Sequence, residues 1–188
     1  MFCDPTKFDF VRTLEMNWQT IKDELDALVP GEFVDWPERQ LHGHGWTVFG
    51  LVAFGKPLSA NCARCPKTAA LLQSIPGMSM AGFSALGPGT AIVPHCGYTS
   101  QVLRCHLGLV TSPQAGIRVG REVRTWEASK CLVFDDTLEH EAWNRGAQAR
   151  IVLLVDFAKP GVADPYAGAV PLETRAVLET LLSRQQRP

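Results

Sequence analysis

The sequence lacks the features that mark membrane, secreted and nucleic-acid-binding proteins. It contains no run of about 18 apolar residues, so no segment is expected to span a membrane. The first residues include acidic side chains and no apolar core, which argues against a secretory signal peptide. A formal net charge of −1 gives no general attraction to nucleic acid or to an anionic membrane. We therefore expect a cytoplasmic protein of one domain over residues 1–188, without nucleic-acid or membrane partners.

The six cysteines do not complete a metal-binding or catalytic pattern. Without a secretory signal, reduced thiols are expected. Cys62 and Cys65 have the spacing of half a zinc site, but no second CxxC or CxxH pair completes it, which favours a loop entering a helix. No cysteine has the elbow or helix-start context of a nucleophile, which disfavours a cysteine-based triad.

The spacing of apolar residues predicts helices at both ends of the chain and β structure between them. Apolar residues at gaps of three and four describe one helical face from residue 10 to 28, before Pro30 and Gly31. A β-prone run ending at Gly55 and a short helix after Pro66 follow. From residue 81 onward, short β-prone runs alternate with Gly/Pro turns. A Pro/Gly linker then precedes a helix over 172–183. The pattern predicts a mainly β sandwich or barrel with flanking N- and C-terminal helices.

Two histidines at the ends of predicted strands suggest a metal site. His95 follows the run AIVP and His140 follows CLVFDD, so the two imidazoles could lie on neighbouring strands and bind one metal ion. Two buried, hydrogen-bonded histidines are the alternative interpretation. A facial triad would continue as His-x-Asp or His-x-Glu, but the sequence reads His95-Cys96-Gly97, and glycine has no side-chain ligand.

Other side chains near these histidines could supply the missing ligand. Strand alternation points Cys96 away from His95, which favours a packing role. The acidic residues near His140 fit turns and supporting positions better than direct ligation. His42 and His44 lie among glycines and are interpreted as loop residues. The side-chain candidates for a third ligand are Cys96, Asp135, Asp136, Glu139 and Glu141, although each fits another role better.

Basic residues on two predicted strands suggest an anion-binding interior. Alternation places Val102, Arg104 and His106 on one face of QVLRCHLGL and the apolar residues on the other. An arginine and a histidine facing a small barrel would be costly to bury without partners. Arg150 begins the otherwise apolar strand RIVLLVDF, and a cation at a strand end facing the barrel mouth suits an anionic ligand.

Three segments resemble the aspartyl/asparaginyl β-hydroxylase family. They are GPGTAIVPHCGYTSQVLRCHLGLV, RTWEASKCLVFDDTLEHEAWN and RIVLLVDF, and the resemblance extends upstream to cover about residues 42–157. Members are Fe(II)- and 2-oxoglutarate-dependent oxygenases, which consume O2 and are built on a double-stranded β-helix, a cupin-like jelly roll. Their first motif reads His-x-Gly, and water takes the place of the missing carboxylate.

The resemblance implies a role for each candidate residue. His95 and His140 match the iron ligands, and Ser84 and Arg150 match the residues that hold the distal carboxylate of 2-oxoglutarate. Arg104 and His106 match residues near the other carboxylate and the substrate. The implied catalytic set is His95, His140, Arg104 and His106.

Departures from the family pattern bear on the substrate. Protein-modifying members carry an arginine at the position of Val102, and their repeat-containing region has no counterpart here. We therefore expect β-hydroxylation of an aspartyl, asparaginyl or related amino-acid unit that is free, carrier-bound or in a small peptide, with succinate and CO2 as co-products. A non-catalytic cupin-like binding protein and a metal-dependent hydrolase or isomerase are the alternatives. The sequence leaves the oligomeric state open.

Overall fold

A computed structural model describes residues 1–166, 168–170, 173, 175, 176, 178 and 180. Its helices are α1 Asp9–Met16, α2 Trp18–Asp26, α3 Arg39–His42, α4 Ser59–Arg64 and α5 Pro66–Gln73. Its strands are β1 Phe2–Cys3, β2 Val34–Asp35, β3 Trp46–Ala53, β4 Lys56–Pro57, β5 Met78–Leu86, β6 Ala91–His95, β7 Val102–Val110, β8 Ala115–Val119, β9 Glu122–Arg124, β10 Cys131–Phe134, β11 His140–Asn144 and β12 Arg150–Ala158.

The strands form two antiparallel sheets. The larger has the order β1-β10-β7-β12-β5-β3-β2, with β4 paired to β3, and the smaller has the order β6-β11-β8-β9. Many paired strands are distant in sequence, and β12, for example, pairs with β5 on one side and β7 on the other. This arrangement is a double-stranded β-helix of the cupin type and confirms the predicted fold class.

The larger sheet has an apolar core on each of its two faces. On the outer face, α1, α2 and α5 contribute Leu14, Ile21 and Leu72 to a core shared with strand residues such as Phe83. Between the sheets, a second core includes Trp46, Leu86, Ile92, Ile117, Trp126 and Val152. The helices therefore leave the barrel interior free to hold polar side chains.

Three predicted elements differ from the structure. The prediction of a single helix from residue 10 to 28 is wrong, because Asn17 separates α1 from α2. The side-chain amide of Asn17 donates to Thr13 O at 2.8 Å. Trp18 then donates from its indole to Gly108 O of β7 at 2.7 Å, which directs α2 onto the sheet. Strand β11 is not predicted by the sequence pattern, because two of its three buried residues, His140 and Asn144, are polar and hide the apolar alternation. The run VRTWEASK is one of the β-prone runs expected after residue 81, but only its first two residues, Val123 and Arg124, lie in a strand, β9.

The C-terminal region lies partly outside the described residues. The helix predicted over 172–183 falls largely there, although the described positions 173, 175, 176, 178 and 180 are helical. The segment before it, predicted as a Pro/Gly linker, packs against the barrel, since Tyr166 and Val170 are buried with Val102 of β7. Among the described residues, no helix is long and apolar enough to cross a membrane.

Candidate active site

His95 and His140 lie side by side on neighbouring strands of the smaller sheet. They are direct partners in the β6–β11 pairing, and their ring centroids lie 4.2 Å apart. Nδ1 of His95 lies 2.8 Å from Val93 O, and Nδ1 of His140 lies 2.9 Å from Leu138 O. Because a carbonyl oxygen can only accept, both Nδ1 atoms carry the proton. Both Nε2 atoms therefore keep a lone pair that can bind a metal ion.

Both imidazoles are held in the neutral form that binds metals. Burial and the neighbouring His95 and Arg104 lower the pKa of His140 to about 3. Burial also lowers the pKa of His95. Protons therefore do not compete for the Nε2 atoms near neutral pH.

The side chain missing at Gly97 is replaced in space by Asp136. A Cβ atom at Gly97 would lie 2.6 Å from the carboxyl carbon of Asp136, and closer still to Oδ2. The Gly97 N–H donates to Asp136 O at 2.7 Å, which fixes the two segments together. Asp136 is 2% exposed and its Oδ1 has no hydrogen-bond partner. A carboxylate thus occupies the space in which a side chain at position 97 would begin.

The described residues contain no group of three His, Cys, Asp or Glu side chains that could hold a metal ion. Asp135 accepts from Thr137 and Lys159, as expected of a turn residue. Glu139 and Glu141 are bound to Arg118. Cys96 is exposed, so its predicted packing role is wrong; it follows the last residue of β6 and leaves the sheet.

Two adjoining cavities lie beside the histidine pair and share Trp46, His95 and Arg104. The inner cavity, between the sheets, is lined by Trp46, Ser84, Ile92, His95, Arg104, His106, Ile117, Phe134, His140, Ala142, Arg150 and Leu154. The outer cavity is lined by Trp36, Glu38, Leu41, Trp46, Phe54, Met80, His95, Cys96, Gly97, Tyr98, Arg104, Asp136, Asp156, Tyr166, Val170 and Leu178. All six site residues predicted from the sequence line the inner cavity.

Arg150 is a buried cation without a carboxylate partner among the described residues. Its side chain is 2% exposed, its Nε has no hydrogen-bond partner, and one amino group donates to Ser84 O at 3.4 Å. The guanidinium lies over the Trp126 ring, 4.4 Å from the centroid. Burial lowers the Arg150 pKa to about 9. It lies deep in the inner cavity and not at the mouth, so an anion entering that cavity would relieve an unpaired charge.

His106 presents a second unsatisfied donor in the inner cavity. The Trp126 indole donates to Nδ1 of His106 at 3.3 Å, so the neutral ring carries its proton on Nε2. That Nε2–H is buried and has no partner. Burial, reinforced by Arg150, Arg104 and His140, lowers the His106 pKa well below its ordinary value. Ser84 adds a hydroxyl whose oxygen accepts from Trp46 and whose hydrogen can donate to a ligand.

Arg104 lies on the cavity wall but is already paired. Its Nε and one amino group donate to the two oxygens of Asp156 at 2.7 and 2.8 Å. The same amino group lies 3.3 Å from Oδ2 of Asp136, and the Tyr166 hydroxyl donates to Asp156 at 2.7 Å. Sequence reasoning missed Asp156 and Tyr166. A charged residue near the end of the apolar run RIVLLVDF was the available signal for Asp156.

The remaining sequence candidates lie away from both cavities. His42 is not a loop residue: it ends α3, is buried, and its Nε2 contacts Trp36 O at 3.1 Å. His44 lies in the following loop, as predicted, and contacts Arg39. Cys65 precedes α5, and burial raises its pKa to about 12, which suits a packed thiol.

The fold and this site define a cupin-like β barrel with a two-histidine candidate metal centre and a buried, unpaired arginine in its interior. The sequence profile of the aspartyl/asparaginyl β-hydroxylase family matches residues 15–160. The chain belongs to this family, and its relatives are hydroxylases.

Two relatives and one solved structure illustrate the similarity. The chain is 44% identical over 118 residues to the ornithine lipid ester-linked acyl 2-hydroxylase of Rhizobium tropici, covering 61% of this chain and 42% of that protein. It is 35% identical over 173 residues to human aspartyl/asparaginyl beta-hydroxylase, covering 87% of this chain and 23% of that protein. It thus spans less than half the length of either. The Cnp3 cupin domain of Schizosaccharomyces pombe superposes with a TM-score of 0.45 at 8% identity, over 69% of this chain and 76% of that one.

Proposed function

We propose that the protein is an Fe(II)- and 2-oxoglutarate-dependent hydroxylase. The observation that carries the proposal is the shared inner cavity, where two histidines with free Nε2 atoms lie near an unpaired, buried arginine. A metal ion and an anion are the two groups that these side chains lack.

His95 and His140 would hold the iron. Imidazole nitrogen suits Fe(II), and the backbone carbonyls that fix both Nδ1–H groups also fix the ring orientations. Asp136 lies where the side chain of a facial-triad acid would begin, and it lines the outer cavity together with His95. When bound, the iron supplies the activation of O2 and the oxidation of a C–H bond.

The donors of the inner cavity fit a dicarboxylate. Arg150 and the Ser84 hydroxyl would bind the distal carboxylate, because both are buried residues that line the inner cavity and neither has an anionic partner among the described residues. The Nε2–H of His106 would donate to the keto-acid end nearer the metal. Ile117, Phe134 and Leu154 line the same space and exclude water, which strengthens these charge-assisted bonds.

The substrate would enter through the outer cavity, which adjoins the histidine pair. The family relationship suggests an amino-acid unit, free, carrier-bound or in a small peptide. The Rhizobium tropici relative adds a second candidate, since its name describes hydroxylation of a lipid acyl chain. Apolar side chains on the outer-cavity wall, among them Phe54, Met80 and Leu178, favour a substrate with an apolar part.

Formation of succinate from 2-oxoglutarate tests this function. Purified protein is supplied with Fe(II), 2-oxoglutarate, air and candidate substrates, and succinate is measured by NMR. Succinate should form only when both Fe(II) and O2 are present. His140→Ala should abolish it, whereas His44→Ala, an exposed histidine outside both cavities, should not. Turnover of a substrate without O2 would indicate a hydrolase or isomerase, and binding of 2-oxoglutarate without turnover would indicate a binding protein.

A further inference from the structure

We propose that the outer cavity recognises a substrate that carries a positive charge beside an apolar chain, and that Glu38 is the carboxylate that binds the positive charge. This inference rests on the proposed function, because it assigns the substrate of the same site. It concerns side chains that bind neither the metal nor 2-oxoglutarate in that proposal.

The charges that line the outer cavity are mainly negative. Among the described lining residues, Glu38, Asp136 and Asp156 are acidic and Arg104 is the basic one. Arg104 already donates to both oxygens of Asp156 and lies 3.3 Å from Asp136. Fe(II) and 2-oxoglutarate carry equal and opposite charges, so their binding leaves this balance unchanged. An acidic substrate would therefore meet a surplus of negative charge, and a cationic one would neutralise it.

Glu38 is a fixed carboxylate without a basic partner among the described residues. Trp36 donates from its indole to Oε2 at 3.1 Å, and the Tyr98 hydroxyl donates to Oε1. These two neutral donors orient the carboxylate without neutralising it. No lysine, arginine or histidine of the described part of the chain lies within ion-pair distance of it. An ammonium or guanidinium group could pair with it at low ordering cost, since both side-chain oxygens are already positioned.

Asp136 adds a second unsatisfied acceptor to the same cavity. Its side chain is 2% exposed, and Oδ1 has no hydrogen-bond partner. Buried carboxylate oxygens rarely remain without a donor, so this atom indicates a ligand or water that donates to it. An N–H-bearing substrate group between Glu38 and Asp136 would meet acceptors on both sides.

The apolar part of the cavity wall fits a hydrocarbon chain. Val170 and Tyr166 pack against the fully buried Val102, and Phe54 and Met80 lie at the edge of this cluster. Val102 stands where the resemblance places a substrate-binding arginine in protein-modifying members. An apolar residue there removes a cation and packs behind the wall residues Tyr166 and Val170, which disfavours an acidic substrate side chain and favours a chain of methylene groups.

Binding of three matched probes tests the proposal directly. Octylamine, octanol and octanoate have the same chain and differ in the charge of the head group. Each is titrated, without O2, into protein loaded with Fe(II) and 2-oxoglutarate, below the concentration at which it forms micelles. Intrinsic fluorescence reports binding, because Trp36 and Trp46 line the outer cavity. Octylamine should bind about tenfold more tightly than octanoate, with octanol between them. Equal or tighter binding of octanoate, or no binding of any probe, would overturn the proposal.

Variants locate the charge preference. Glu38→Gln should weaken octylamine binding about five- to tenfold and leave octanol binding unchanged. Glu122→Gln, at an exposed strand-edge glutamate, is the matched control and should change neither. An octylamine affinity of Glu38→Gln equal to that of the unmodified protein would remove Glu38 from the site. The visible absorption of Fe(II) with 2-oxoglutarate is recorded in the same samples. Absence of this absorption band would contradict the proposed function. The relative affinities of the three probes test the proposed substrate class independently of that result.

Discussion

A Cβ atom at Gly97 would lie 2.6 Å from the carboxyl carbon of Asp136. Gly97, two residues after β6, and Asp136, between β10 and β11, are therefore a matched pair, because the glycine leaves the space that the carboxylate fills. The glycine of the His-x-Gly motif therefore does more than remove a carboxylate from position 97. It leaves room for Asp136, an acid from a different part of the chain, in the cavity that His95 also lines.

Restoring an acid at position 97 should fail in the intact protein. In Gly97→Asp the new side chain collides with Asp136 and places two carboxylates in one buried space, which should lower the free energy of unfolding by about 1–3 kcal/mol. The double variant Gly97→Asp with Asp136→Ala removes the collision, so it should recover most of that stability and bind Fe(II) more tightly than the unmodified protein. Urea denaturation and metal titration measure the two effects. A stable single variant with tightened Fe(II) binding would show that Asp136 can move aside.

Arg150→Met should separate ligand binding from stability. An unpaired buried charge is costly, so its replacement by an apolar side chain of similar length should raise the free energy of unfolding of the ligand-free protein by about 1 kcal/mol or more. The same change should raise the 2-oxoglutarate requirement at least about 100-fold, since the anion loses its cation. Thermal melts with and without 2-oxoglutarate measure both. A destabilised variant that binds 2-oxoglutarate normally would contradict the assignment of Arg150.

The acid sensitivity of folding should depend in part on His106. Burial holds its pKa in the folded protein well below 6.5, so below pH 6.5 the unfolded chain binds a proton that the folded protein does not. Folding stability should therefore fall as the pH falls, by about 1.4 kcal/mol per pH unit from this group. His106→Gln should lose correspondingly less stability between pH 7.0 and about pH 5.5. Parallel stability profiles of the two proteins in urea denaturation would contradict a buried, neutral His106.

The Arg104–Asp156 pair should contribute more to stability than the Tyr166 hydroxyl that supports it. Asp156→Asn removes the charge from a 1% exposed partner of Arg104 and should cost about 3 kcal/mol. Tyr166→Phe removes one hydrogen bond and should cost about 1 kcal/mol. Chemical denaturation of both variants gives the order. The reverse order would show that the C-terminal segment depends on Tyr166 for its packing.

The individual strands could be predicted from local patterns, and with them the inward direction of Arg104, His106 and Arg150. Alternation along a strand aims side chains without knowledge of the partner strand. The pairing of His95 with His140 followed from their positions at strand ends, although β11 itself was not predicted.

Contacts between distant segments could not be predicted in the same way. Arg104 and Asp156 are direct partners in the β7–β12 pairing, and nothing in either strand specifies that register. The contact of Gly97 with Asp136 and the approach of Glu38 to Tyr98 also join segments far apart in sequence. The assigned functions of His95, His140, Ser84, Arg104, His106 and Arg150 stay predictions.

The most direct test of the central claim is the visible absorption of the anaerobic protein with Fe(II) and 2-oxoglutarate. We expect a weak charge-transfer band that requires both additions, because 2-oxoglutarate would chelate an ion held by His95 and His140. His95→Ala and His140→Ala should each lose or shift the band, while His44→Ala should keep it. A band that is unchanged in both His95→Ala and His140→Ala, or that is absent from the unmodified protein, would contradict the two-histidine iron centre.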